Sequence, residues 1–277
     1  MKDIKQRLYE HMTHVVAQLD QRGIVLGVDY HVEGVYLQGS QNYGVHTDKS
    51  DVDSKMVVLP TLRSLIRDTK LTVDMDVPCA DGSIEKCSVK PYKDFEALFF
   101  KGNFNNLEIL FTGHHIGGCY FTEVLRQRRE ELVKTIWPGL VSACLGMQNQ
   151  KKAGLYKCTE GTKEFFDEYG YDNKNLIHIL RIADTATRYA NRGNFAEALL
   201  VSGCTKEEIN LIRAGKVGKG SVDFMVDSAM RVVESIRNEL SESSAMDKMH
   251  KELPVLKDEI GEITANLLEE FLTENQD

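Results

Sequence analysis

The chain lacks any uninterrupted apolar run long enough to cross a bilayer, and Met1-Lys2-Asp3-Ile4-Lys5-Gln6 leads into an amphipathic pattern, not a signal peptide's apolar core. Both absences predict a cytoplasmic protein with no membrane partner. Basic charge is not in excess either: 34 Lys and Arg stand against 42 Asp and Glu, a formal net charge of -8. That balance argues against a generally basic surface gripping nucleic acid through its phosphates, while a local basic groove stays open. There is no Cys-x-x-Cys and no histidine at zinc-ligand spacing from a cysteine. Cys79, Cys87, Cys119, Cys144, Cys158 and Cys204 therefore read as reduced, mostly buried thiols. No internal repeat or long low-complexity segment is present.

What remains is an ordinary globular composition, 42% hydrophobic and 27% charged over 277 residues, enough for two domains. Ile4, Leu8, Met12, Val15, Val16 and Leu19 recur at three- and four-residue steps and predict an opening helix stopped near Gly23. Residues 32–38 predict a strand running into Gly39-Ser40, and residues 51–59 a second strand ended by Pro60. Leu62, Leu65 and Ile66 suggest a short helix. Strands at 71–78 and 84–89 flank the hairpin turn Asp81-Gly82-Ser83, giving about four strands.

From Tyr92 onward the pattern is helical. A helix over 121–136 is expected to stop near Trp137-Pro138-Gly139, another over 175–192 to stop at Gly193, and a third to start at Ser221 as N-cap. A last helix is expected from Val255, after the polar loop Ser241-Glu242-Ser243-Ser244. The fold class is α+β: a small mixed sheet with flanking helices over residues 1–112, then an all-α domain over 113–277.

The densest chemistry lies in Gly39-Ser40-Gln41-Asn42-Tyr43-Gly44 and Ser50-Asp51-Val52-Asp53. On a strand, Asp51 and Asp53 would project from one face, and two like charges held that close call for a cation. A Gly-Ser pair after a strand lets backbone approach a phosphate, and a following helix N-terminus would aim its N–H groups at it. Hard carboxylate oxygens together with substrate phosphates are how Mg²⁺ is usually held.

At these residues the sequence resembles the DNA polymerase β-like nucleotidyltransferase superfamily, whose signature is a strand, Gly-Ser, a short helix, and Asp-x-Asp on the next strand. More narrowly it is similar to predicted nucleotidyltransferases of bacteria and their phages, through Gly39-Ser40-Gln41-Asn42-Tyr43-Gly44, Ser50-Asp51-Val52-Asp53-Ser54-Lys55, Leu107-Glu108-Ile109-Leu110-Phe111-Thr112, Tyr169-Gly170-Tyr171-Asp172-Asn173-Lys174 and His178-Ile179-Leu180-Arg181. The resemblance implies transfer of a nucleoside monophosphate from an NTP such as ATP to a hydroxyl, with Mg²⁺ or Mn²⁺ and release of pyrophosphate. It implies Asp51 and Asp53 as catalytic metal ligands, Gly39 and Ser40 as the phosphate-binding turn, and a helical domain closing the nucleotide cleft. The acceptor stays open between an RNA end, a protein hydroxyl, a small molecule and a second nucleotide.

The superfamily also supplies a third carboxylate from a later strand. In the narrower group it stands two residues before the lysine corresponding to Lys90, where this chain has Ser88. Glu85 is the nearest acid upstream and is taken as the third catalytic residue, although its odd separation from Ser88 turns it to the other face unless a bulge reorients it. Asp74 and Asp76 are further substitutes. The missing acid motivates a second reading, a nucleotide-binding or interaction protein that has lost turnover.

Lys174, His178 and Arg181 share one helical stripe and are expected to meet phosphates. Asp184 and Arg188 extend it as an intrahelical ion pair. Glu108 supports the site from behind or lies on a helix surface. His114-His115, Lys151-Lys152, Lys216 and Lys219 are expected to be structural or solvated.

Overall fold

The computed structural model describes residues 3–47, 50–118 and 120–274, so Cys119 and two residues of the loop after Gly39, Asp48 and Lys49, lie outside the described residues. The elements are α1 (Ile4–Gln21), β1 (Tyr30–Gln38), β2 (Asp53–Pro60), α2 (Leu62–Ile66), β3 (Val73–Pro78), β4 (Ile84–Pro91), α3 (Tyr92–Phe100), α4 (Phe104–Phe111) and β5 (His115–Gly117). Helices follow: α5 (Phe121–Gln127), α6 (Arg129–Gly154), α7 (Lys163–Tyr169), α8 (Asn173–Arg192), α9 (Phe195–Leu199), α10 (Gly203–Arg213), α11 (Lys219–Glu242) and α12 (Ala245–Glu274). The fold is α+β, as the sequence patterns predict.

One mixed sheet runs in the order β3-β4-β2-β1-β5, with β2 and β4 parallel and the other pairs antiparallel. Registers fix two faces. Tyr36, Lys55, Ser88 and Asp74 lie opposite one another across β1, β2, β4 and β3, and side chains alternate, so Leu37, Ser54, Cys87 and Met75 form the reverse face. That reverse face carries α1, whose Leu8, Val15 and Leu19 are buried in one core with Met56, Val58, Met75 and Val89. The seven- and four-residue steps between those helix residues, which return to one helix face, dictate this.

Two compact units emerge, one made of residues 1–42, 46–132 and 254–277, the other of residues 43–45 and 133–253. In the first, Tyr92 approaches Thr264 of α12 at 3.4 Å and Arg128 binds Glu259 at 2.8 Å. In the second, α8 packs on α9, α10 and α11. Gly193, at φ +67°, ends α8 in the left-handed conformation that glycine adopts without strain.

Several elements depart from expectation. The predicted helix over 121–136 is two helices, and the second runs on through Pro138. Leu132, Val133, Ile136, Leu140, Val141 and Cys144 keep their periodic burial across the proline. That continuous apolar face offsets the roughly 3 kcal/mol a mid-helix proline costs. The helix expected at Val255 starts at Ala245 and passes through Pro254, so the polar loop shrinks to Ser243 and Ser244. α11 begins at Lys219 after Gly218, not at Ser221. A fifth strand, β5, is only three residues long and carries too little pattern to be read. The short helix α2 forms as expected, capped by Thr61, but Leu62, Leu65 and Ile66 are exposed. Of the five described cysteines, only Cys87 and Cys144 are buried.

Candidate active site

The turn after β1 is held by its own polar groups. Asn42 donates its backbone N–H to Gly39 O at 3.0 Å and its side-chain amide to Leu37 O at 2.8 Å, and accepts Thr112 Oγ1 at 2.8 Å. Gly39 sits at φ +97° with nothing within 4 Å of where a Cβ would stand. A side chain there would therefore meet backbone strain alone, about 1–2 kcal/mol. Its N–H donates to Glu108 Oε1 at 3.2 Å. Glu108 is 1% exposed, so it supports the turn from within and is not a surface carboxylate. Residues 40–44 form a turn, with no helix directed at a phosphate.

β2 begins at Asp53, opposite Gln38, while Asp51 is exposed and precedes the strand. Strand alternation therefore does not place the pair as expected, yet the two carboxylates feel each other. Burial, and next the charge of Asp51, push the Asp53 carboxyl above its ordinary range, opposed by the Lys86 backbone N–H that donates to Asp53 Oδ1 at 3.2 Å. Mutual repulsion of two oxygen donors at the start of a central strand fits a hard divalent cation, completed by substrate oxygens and water. Among the described residues no group of three His, Cys, Asp or Glu side chains is placed to hold a metal.

Glu85 is not a third member of that set. Two residues before Cys87 on a regular strand, it faces α1 and is fully buried, where Oε2 accepts Arg7 Nη2 at 2.5 Å and Nε at 3.1 Å and meets His11 Nε2 at 3.0 Å. His11 Nδ1 lies 2.8 Å from Ser54 Oγ. Burial holds the His11 pKa down, with Glu85 opposing, so a neutral ring donates to Glu85 and accepts the Ser54 hydroxyl proton. No β-bulge that would reorient Glu85 interrupts the β2–β4 or β3–β4 register. Ser88 is half-buried between Lys55 and Asp74, and the latter is exposed.

Lys55 closes the Ser50-Asp51-Val52-Asp53-Ser54-Lys55 segment that carries the resemblance, but no role was expected of it. It is 7% exposed on the Asp53 face and donates to Asn106 Oδ1 of α4. Burial, and then Lys90, bring its pKa down to about 8, with Asp74 opposing. The available signal was a lysine at an inward position of the otherwise apolar Met56-Val57-Val58-Leu59 strand.

In the helical unit the stripe separates by depth. Lys174 is exposed, His178 keeps a partly exposed edge, and Arg181 is 4% exposed with its guanidinium 3.7 Å above the Tyr43 ring. Arg181 Nη2 lies 3.3 Å from His178 Nδ1, while His178 Nε2 is buried without a hydrogen-bond partner among the described residues. Asp184 does not pair with Arg188: it accepts Ser202 Oγ at 2.5 Å and Thr205 Oγ1 at 2.9 Å, and Arg188 binds Leu200 O. The Tyr169–Lys174 segment has structural work of its own, since Gly170 ends α7 at φ +78° and Asp172 caps α8. Lys152 pairs with Asp227 at 2.8 Å.

Burial, then Arg181 and Lys151, lower the His178 pKa from 6.5 to about 3. The unfolded chain thus takes up a proton below about pH 6.5 that the folded chain refuses until about pH 3, and stability is lost as pH falls through that window. The unfolding temperature is expected to drop between pH 7 and pH 5, and His178→Gln to flatten that drop. Identical slopes in wild type and variant would show that His178 charges freely in the fold.

No family model and no curated protein matches the chain. A solved structure described as a nucleotidyltransferase-like protein from Exiguobacterium sibiricum 255-15 is similar at 12% identity over 90% of each chain, with a TM-score of 0.32. A likeness at that level defines neither a family nor an activity. No helix among the described residues is long and apolar enough to cross a membrane.

Proposed function

We propose that the chain is a Mg²⁺-dependent nucleotidyltransferase that moves a nucleoside monophosphate from an NTP to a hydroxyl and releases pyrophosphate. The observation that carries this reading is the Gln38–Asp53 pairing, which sets the Gly39-Ser40 turn and the Asp53 carboxylate at the same end of two neighbouring strands. Cross-strand partners stand about 5 Å apart, the scale of a phosphate held against a coordinated cation. Asp51 and Asp53 would hold the metal, which when bound supplies positive charge to the phosphoryl and leaving pyrophosphate oxygens. Ser40 and the turn backbone bind phosphate, Glu108 fixes Gly39, and Lys174, His178 and Arg181 are read as phosphate contacts of the nucleotide or of an acceptor.

A second reading, nucleotide binding without turnover, is favoured by one observation: β4 presents Lys86 and Ser88, and no acid, to the Asp53 face. Calorimetry with NTPs and Mg²⁺, run beside a pyrophosphate-release assay over RNA, protein and small-molecule acceptors, separates the two. Transfer is expected to require a bound NTP and to release pyrophosphate. Binding without release for every acceptor would favour the inactive module, and no binding would overturn both.

A further inference from the structure

We infer that Lys55 is a substrate-contacting cation, its ammonium set in the sheet to meet phosphoryl oxygens of the nucleotide, with Asn106 holding it in position. The inference rests on reading Gly39, Ser40, Asp51 and Asp53 as a nucleotide site. Three features of the first unit lead to it. Lys55 follows Asp53 by two residues, so both project from one sheet face at the end where the Gly39 turn lies. It is more than nine-tenths buried, yet its hydrogen-bond partner is the neutral side chain of Asn106, and no carboxylate of the described residues forms an ion pair with it. The charged groups facing it are Lys90, which repels it, and Asp74, which is exposed and two strands away.

A buried ammonium is costly unless an opposite charge meets it. A neutral amide leaves that requirement unmet, and a phosphate satisfies both the charge and the remaining N–H groups. Its strand partner is Ser88, a hydroxyl, so this spot offers donors to an anion. α4 ties the arrangement together: Glu108 binds Gly39 and Asn106 binds Lys55.

The test uses the full chain with nonhydrolysable ATP, GTP, CTP and UTP analogues in turn, with Mg²⁺, and with tripolyphosphate without metal. Wild type is expected to bind at least one analogue, and Lys55→Met to weaken that binding tenfold or more. Ligand-free Lys55→Met should unfold at the wild-type temperature or higher, because a merely structural lysine would lower it. Asn106→Asp supplies an internal counter-charge, and is expected to weaken tripolyphosphate binding while raising ligand-free stability; it decides the matter if Lys55→Met does not fold. Analogue binding unchanged in Lys55→Met, or in Asn106→Asp where that variant decides, overturns the role of Lys55 and leaves the nucleotide site standing. Lys55-dependent binding of tripolyphosphate with no analogue bound keeps the anion contact and overturns the nucleotide reading. Binding of neither ligand by wild type overturns the inference.

Discussion

Asp53→Asn is expected to lower nucleotidyl transfer by about 10³-fold or more, because a ligand worth about 4 kcal/mol of transition-state charge stabilisation is removed. The fold should not suffer. Burial and the neighbouring Asp51 charge both disfavour an ionised Asp53, and the amide carries no charge to repel. The unfolding temperature of Asp53→Asn should therefore equal or exceed that of wild type in metal-free buffer, while Mg²⁺-dependent nucleotide binding falls. Opposite movement of stability and activity is the signature of a charge kept for a ligand. A double Asp51→Asn, Asp53→Asn variant that still releases pyrophosphate would sink the proposal.

Glu85→Ala is expected to act in the reverse sense. Removing a fully buried carboxylate leaves Arg7, 14% exposed, and His11 facing an empty site, and breaking a buried pair of this kind costs about 3–5 kcal/mol. For a chain of this size that corresponds to a fall of roughly 10 °C in unfolding temperature. Nucleotide affinity at low temperature should stay near wild type, since the carboxylate faces α1. If Glu85→Gln kept its unfolding temperature and lost metal-dependent nucleotide binding, Glu85 would be a ligand after all.

The contrast between these carboxylates measures what the sequence discloses. Strand alternation is local, so the strands expected at 32–38 and 51–59 and the hairpin around Gly82 were legible apart from their ends, Asp51 among them, as was the oddness of Glu85 relative to Ser88. Its partners were not, because Arg7 and His11 lie 78 and 74 positions away and read only as turns of an amphipathic helix. Pro138 misled for a related reason. The local rule ends a helix at proline, and only tertiary burial on both sides of it overrides the rule. Asp184 likewise had a nearby partner in sequence, Arg188, but instead accepts from Ser202, the N-cap of α10, and from Thr205.

The helix Phe104–Phe111 has no reactive group of its own, yet two of its side chains reach pieces of the motif that lie 16 positions apart, Gly39 and Lys55. In a random mutagenesis screen it should therefore behave as a loss-of-function hot spot even where folding survives. Changes at Glu108 should also combine non-additively with changes at Gly39, and changes at Asn106 with changes at Lys55, because each pair shares one hydrogen bond that can be lost only once.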